Sequence, residues 1–189
     1  MHLYSIVLFL HVLAAMGVAA AIALLMHGEV MAQRAQSPAE LRSVMEKELR
    51  TASALKALVP VLAVTGLYMA WAAWSLSAPW VILAFLTLVY LTVSGPLLFG
   101  RRMQRAVDTA AAAGSITPGV RDILEHPTFT VLKHTRVALL VMLIFLMTVK
   151  PGLVGTLAAL AAALVLGTVS ARMRSGVRID PASVAAPES

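Results

Sequence analysis

The sequence predicts an all-α membrane protein, a polytopic bundle of five transmembrane helices. Apolar residues make up 60% of its 189 positions and the mean hydropathy is +0.87, more than a soluble globular domain normally carries. Five apolar stretches, near residues 3–26, 57–75, 80–99, 131–149 and 153–170, approach the ~20 residues that a helix needs to cross a bilayer. Basic residues are concentrated on alternate pieces between these stretches.

This sorting of charge predicts the orientation. Fourteen of the 15 Lys and Arg residues follow the first stretch, the third stretch or the fifth, or lie at the start of the fourth. Short basic loops stay in the cytoplasm, so we expect a multi-pass protein of the bacterial inner membrane, with its N-terminus outside and its C-terminus in the cytoplasm. The net charge of +6 then reflects topology and contact with the lipid bilayer, and we expect no nucleic-acid partner.

The first span is predicted over 3–26 and is followed by a loop that reaches Gln36. Ser37, Pro38 and Glu40 form a capping box that starts a second helix. This helix is expected to be amphipathic and to continue into the second span, where Pro60 bends it. Its apolar face would carry Leu41, Met45, Leu49 and Leu55, and the charged residues 46–50 would form a solvated surface.

Tryptophans and a proline mark the second and third spans. Trp71, Trp74 and Trp80 bracket a short outer loop and suit an aromatic belt at the headgroups. Pro96, late in the third span, removes a backbone donor and clashes with the carbonyl of Thr92. A neighbouring helix must therefore cover the gap, because lipid cannot.

The second cytoplasmic piece, 100–129, is polar and alanine-rich, with a short helix between Thr117 and His126. The fourth span reaches full length only if 131–136 is included, and Pro151-Gly152 then makes a tight outer turn. In the fifth span a small-residue stripe predicts close helix contact: Gly155, Ala159, Ala163 and Gly167. The bundle is predicted to occupy 1–171, and 172–189 to be a disordered cytoplasmic tail.

His11 is the candidate site residue, an ionisable group predicted to lie about 12 Å below the outer surface. Such groups usually face the interior of a helix bundle. Ala15, Ala19 and Ala23 follow it at four-residue steps, so His11 borders a groove that could admit a haem group. The alternative is a histidine that hydrogen-bonds to a neighbouring helix while the alanines simply pack.

No second histidine lies at the depth of His11, so other side chains are considered as partners. Lys150, the only charged residue on the predicted outer side, and Met69 and Met147 are the outer-half candidates. Lys150 could equally be a solvated charge at a helix end. A separate metal site at the inner surface is a further alternative, although its spacings match no metal motif: His27, Glu29, His126 and His134.

Four short segments carry a family resemblance: 10–13 (Leu-His-Val-Leu), 44–49 (Val-Met-Glu-Lys-Glu-Leu), 65–68 (Thr-Gly-Leu-Tyr) and 149–151 (Val-Lys-Pro). Together they resemble a HemJ/CopD-like superfamily of small bacterial integral membrane proteins, and its predicted members of unknown function look most similar. The resemblance covers about 3–151, a four-helix core, and the fifth span is an addition. It implies haem b, with His11 as axial ligand of the iron and Lys150 as second ligand or propionate partner.

Two classes of function follow. The first is a haem b-binding redox protein of HemJ-like type, with an unidentified redox partner. The second is a non-enzymatic membrane component, either a structural subunit or a CopD-like part of a copper or small-molecule permease. Small-residue helix faces would also allow a homo-oligomer. Ser5 has no evident base and the five apolar stretches contain no Asp or Glu, which argues against a hydrolase and against a carboxylate-driven proton transporter. The sequence does not decide whether the chain is an enzyme.

Overall fold

The computed structural model, which describes residues 2–176, is an all-α helical bundle and confirms the predicted fold class. Seven α-helices and one π-helical turn make up the described chain. Their bounds are α1 His2–Arg34, α2 Pro38–Ala73, α3 Pro79–Ser94, the π-helical turn Gly95–Gly100, α4 Arg101–Ala113, α5 Pro118–Glu125, α6 Pro127–Val149 and α7 Leu153–Gly176. Within the described residues, five helical stretches are long and apolar enough to cross a membrane.

Two helix pairs and a bridging helix form the bundle. α1 lies along α2, α6 lies along α7, and α3 packs mainly against the α6–α7 pair. Ala14, Val18 and Leu62 form the core of the first pair, joined by Leu88 of α3. Large apolar side chains cover the outside of the spans, among them Val154 at 82% and Val64 at 68% exposed. Exposure of this kind suits lipid as the surrounding solvent and identifies a multi-pass membrane protein.

The bundle has two chemically different ends. The tryptophan end carries Trp74 and Trp80, whose rings meet edge to face with centroids 6.0 Å apart. The basic end carries α4, α5, the end of α1 and the start of α2. Both predicted N-caps lie there: Ser37 Oγ accepts from the Glu40 N–H at 3.2 Å, and Thr117 Oγ1 accepts from the Val120 N–H at 3.4 Å. These local predictions are confirmed.

The basic end has its own hydrophobic core, built in part from segments that the sequence predicts as loops. α1 continues as a helix to Arg34, so the expected loop shrinks to 35–37, and α4 makes residues 101–113 of the predicted piece 100–129 helical. The buried residues are Ala32, Ala35, Leu41, Met103, Ala106, Val107, Ala110, Val120 and Leu124. The α4 members recur at helical spacing, which is the signal that could have predicted this helix.

Two sequence predictions are corrected: the solvated face of α2 at 46–50 and the start of the disordered tail at 172. On α2, Leu49 is 58% exposed, whereas Glu48 turns inward and its Oε1 atom is buried. The prediction of a fully solvated face at 46–50 is therefore wrong at Glu48. α7 continues to Gly176, so the start of the predicted disordered tail at 172 is helical. The remainder of that tail, 177–189, lies outside the described residues.

Pro96 lies in the π-helical turn, and α6 covers the gap that it leaves. In a π-helix each N–H points to the carbonyl five residues earlier, so the missing Pro96 donor leaves the Leu91 carbonyl without its π-type partner. Arg136 Nη2 of α6 donates to that oxygen at 3.2 Å. Gly95 keeps the approach open, because an added Cβ there would lie 3.2 Å from Arg136 Nη2. The expectation that a neighbouring helix satisfies the break is confirmed.

The small-residue stripe of α7 makes the close contact that was predicted, and its partner is α6. A Cβ at Gly167 would lie 2.6 Å from Thr135 Cα, and Ala159 and Ala163 pack in the cluster that α3, α6 and α7 share. Ala15, which was predicted to border a groove beside His11, packs in the α1–α2 cluster. The stripe is thus used for α6–α7 packing.

Candidate functional site

His11 lies on α1 against α2, where Thr65 fixes its imidazole. The distance from His11 Nδ1 to Thr65 Oγ1 is 3.0 Å. The Thr65 hydroxyl also lies 2.6 Å from the Val61 carbonyl oxygen, which can only accept, so its single proton is directed there. His11 Nδ1–H is therefore the donor to Thr65. In the neutral imidazole this tautomer leaves the lone pair on Nε2.

Gly66 provides the space for the imidazole ring. A Cβ at this position would lie 2.9 Å from His11 Cε1 and 3.4 Å from Nδ1. Glycine is therefore required here by the close approach of the two helices. We call the Thr65-Gly66 pair the seat of His11, because Thr65 binds the imidazole ring and Gly66 leaves room for it. The predicted hydrogen bond between His11 and a neighbouring helix is confirmed, and in this tautomer Nε2 keeps its lone pair.

Lys150 lies at the tryptophan end, and its ammonium group contacts Trp74. Its Nζ atom is 4.3 Å from the centroid of the Trp74 ring, which places the cation over the aromatic face. The backbone of Lys150 is left-handed, with φ 51°, and its N–H donates to the Leu146 carbonyl at 3.1 Å. Lys150 thus ends α6 in a conformation that glycine or asparagine usually adopts.

The described contacts do not bring His11 and Lys150 together. His11 contacts Thr65 and Lys150 contacts Trp74, nine residues further along α2. At 1.5 Å per residue this separation is about 13 Å along the helix axis, whereas two axial ligands flank a single iron. His11 fits an axial ligand of haem, because metal-ligating histidines commonly have the second ring N–H bonded in this way. In this geometry Lys150 does not fit as the opposite ligand.

The other histidines whose side chains the structure describes form no common site. His27 and His126 are exposed, and the His126 ring lies near Phe129 with centroids 6.2 Å apart. His134 Nδ1 lies 2.8 Å from the Thr130 carbonyl on its own helix. Within residues 2–176, no group of three or more His, Cys, Asp or Glu side chains could hold a metal ion. The alternative of a metal site at the inner surface is therefore wrong for these residues.

The structure also assembles a charged cluster at the basic end that the sequence analysis missed. Lys133 Nζ lies 3.9 Å from Glu29 Oε2, and both side chains are at most 15% exposed. Glu48 packs against Gly28 and shares a small cavity with Glu29 and Arg102. The sequence could have predicted that Glu48 turns inward, because Glu48 lies on the same face of α2 as the apolar residues Leu41 and Met45.

Two arginines tie this end together through backbone carbonyls. Arg102 donates to the carbonyls of Ile123 and Leu124 at the end of α5, with its guanidinium 3.9 Å from the centroid of the Phe129 ring. Arg121 donates to the carbonyl of Gln33 and, at 2.7 Å, to that of Ala35. These carbonyls lack helical partners because their helices end there. The arginines therefore act as caps between helices.

Two cavities border the charged cluster, and the part of each that admits a water molecule is about 20 Å³ and about 10 Å³. Spaces of this size accept roughly one water molecule, so neither is large enough for a haem group.

Comparisons with protein-family models, with curated proteins and with solved structures give no match to this chain. Membership of the HemJ/CopD-like superfamily therefore stays a prediction from the four sequence segments.

Proposed function

We propose that the protein is a membrane haem b-binding protein in which His11 supplies one axial ligand. The observation that supports it is the Thr65-Gly66 seat, which holds the His11 ring by Nδ1 and leaves Nε2 with a lone pair. Haem would supply one-electron chemistry. The chain itself supplies the ligand and fixes its tautomer through Thr65.

The visible spectrum of the full-length protein tests this proposal. Protein purified in detergent from haem-replete cells should show a Soret band, and His11→Ala should lose it. Thr65→Val should insert normally and retain less haem, because loss of an outer-shell bond typically lowers metal affinity by about 10–100-fold. His134→Ala is the matched control and should keep the band, since His134 bonds only within α6 at the basic end. A colourless wild-type preparation refutes haem binding.

Lys150 has a separate test, because the resemblance gives it two possible roles. As an axial ligand it would be lost in both Lys150→Gln and Lys150→Arg, since guanidinium has no lone pair to give a metal. As a propionate partner it would be lost in Lys150→Gln and rescued in Lys150→Arg. The contact with Trp74 favours a third outcome, in which both variants keep the wild-type spectrum and Lys150 is an end charge.

The second candidate is a non-enzymatic membrane component, and the same seat favours it in a different way. The hydrogen bond from His11 to Thr65 joins α1 to α2 inside an apolar pair, so packing alone gives His11 a role. This reading predicts a colourless protein in which His11→Ala lowers the thermal midpoint. A net loss of about 0.5–1.5 kcal/mol is expected for one such hydrogen bond.

We further propose that the basic end faces the bacterial cytoplasm, on the support of the charge sorting. Because the chain has no cysteine, single introduced cysteines report topology without background. Ser77, Ser43 and Ser115 are all exposed. Ser77→Cys should react with an impermeant maleimide in intact cells, and Ser43→Cys and Ser115→Cys only after permeabilisation. Labelling of Ser115→Cys in intact cells would reverse the orientation.

A further inference from the structure

A cleft between α1, the π-helical turn and α6 opens at the basic end. It is the second of the two cavities described above: its enclosed part is about 10 Å³, and it reaches about 270 Å³ only when the open space at its mouth is counted. One wall is apolar and comes from Ile22, Leu25 and Met26 of α1, with the Phe99 ring across from it. The polar end is formed by Glu29, Lys133 and Arg136. The cleft therefore joins an apolar groove to a charged floor, at the depth where the apolar stretches end.

The charges around this floor do not balance. Three cations and two carboxylates converge there: Arg102, Lys133, Arg136, Glu29 and Glu48. One positive charge is in excess at neutral pH if all five are ionised. Lys133 pairs with Glu29 at 3.9 Å, and Arg102 lies with Glu48 around the adjoining cavity. Arg136 is the cation of this group that makes neither of these contacts.

Arg136 has unused hydrogen-bonding capacity. Its Nη2 donates to the Leu91 carbonyl, and its guanidinium carbon lies 4.9 Å from the centroid of the Phe99 ring. Its Nε is buried and has no partner. Among the described residues, no carboxylate oxygen lies within 4.0 Å of its guanidinium nitrogens. The charge of Glu29 acts on Arg136, but Lys133 and Arg102 share it. Buried cations that share one carboxylate are incompletely compensated, so the electrostatic complement of this cleft is an anion.

We propose that the cleft binds an anionic phospholipid, with its phosphate on Arg136 and Lys133 and an acyl chain along the apolar wall of α1. A guanidinium prefers phosphate oxygens because its planar donors match them in pairs. Basic pockets between transmembrane helices at the headgroup level suit such lipids. The apolar wall distinguishes a lipid from free phosphate, which has no apolar part to bury. Glu29 competes for Lys133 and so limits the affinity.

Thermal unfolding of the full-length protein in detergent, titrated with phosphatidylglycerol, tests the proposal. The wild-type midpoint should rise and saturate, and equal amounts of phosphatidylcholine or inorganic phosphate should raise it much less. Lys133→Gln should weaken the apparent affinity for phosphatidylglycerol by about tenfold. Glu29→Gln should strengthen it several-fold, because it releases Lys133 for the phosphate. Arg105→Gln, which removes an exposed cation of α4 outside the cleft, is the control and should leave the affinity unchanged.

Glu29→Gln keeps the test decisive, because Arg136 supports the π-helical turn and its own variants could fail to fold. Equal stabilisation by phosphatidylglycerol and phosphatidylcholine overturns the proposal. Equal stabilisation by inorganic phosphate overturns the lipid and assigns the cleft to a free anion. If Lys133→Gln and Glu29→Gln only shift the midpoint by the same amount with and without lipid, the cluster is structural and the proposal fails.

Discussion

Replacing Gly167 by alanine should weaken the α6–α7 pair. An added Cβ would lie 2.6 Å from Thr135 Cα and 3.1 Å from Thr135 N. Ordinary contacts of a Cβ begin near 3.4 Å, so roughly 0.8 Å must be gained. The nearest atom, Thr135 Cα, belongs to the backbone, so no change of side-chain rotamer can relieve the contact. The two helices must therefore separate locally.

The expected loss in the free energy of unfolding follows from two opposing effects of the Gly167→Ala change. Overpacking of a tight contact costs about 1–3 kcal/mol, whereas alanine improves helix propensity over glycine by about 1 kcal/mol. The difference of these two effects spans about 0–2 kcal/mol, and because the close contact is with a backbone atom we expect a net loss in the upper half of that range, about 1–2 kcal/mol. For a chain of this size, each kcal/mol corresponds to about 2–4 °C in the midpoint. We expect the midpoint of thermal unfolding in detergent to fall by roughly 2–8 °C.

Gly100→Ala is the matched control, because it makes the same chemical change in open space. Nothing lies within 4 Å of a Cβ at Gly100, and its φ of −62° suits alanine. This variant should keep or raise the midpoint through helix propensity and reduced freedom of the unfolded chain. The two variants should therefore move in opposite directions. If Gly167→Ala is as stable as wild type, close contact between α6 and α7 is not what this stripe provides.

Two further variants test the tryptophan end and the basic end. Lys150→Gly should keep or raise the midpoint, because a left-handed non-glycine residue costs about 1–2 kcal/mol and the Trp74 contact returns only about 0.5–1 kcal/mol. Lys150→Val should lower it clearly, and equal losses in the two variants would contradict the strain argument. Met103→Ala, at a side chain only 6% exposed, should cost about 2–5 kcal/mol. Limited proteolysis should then cut near α4 and α5 before the spans, and unchanged protection there would argue against a separate core at the basic end.

The spans, the caps at Ser37 and Thr117 and the break at Pro96 follow from the sequence alone. A run of apolar residues is long enough to cross a membrane whatever it packs against. A capping hydroxyl meets backbone groups only two or three residues away. A proline removes its own donor wherever the helix lies. These features are local, so the order of residues determines them.

Only the tertiary structure decides which side chains of different helices bond to each other. The sequence singled out His11 and Thr65 but did not pair them, because residues 54 positions apart meet only when α1 lies along α2. It likewise predicted that some neighbour covers the Pro96 gap, and the packing of α3 on α6 selected Arg136.

Burial of a charge is also a property of the assembled bundle. Glu48 and Leu49 are adjacent on α2, and hydrophobicity alone favours leucine as the inward residue. The small core formed by α4 and α5 turns Glu48 toward Gly28 and Arg102 and leaves Leu49 exposed. Local pattern sets which segments are helical, whereas the pairing of those helices sets which face, and therefore which charge, is enclosed.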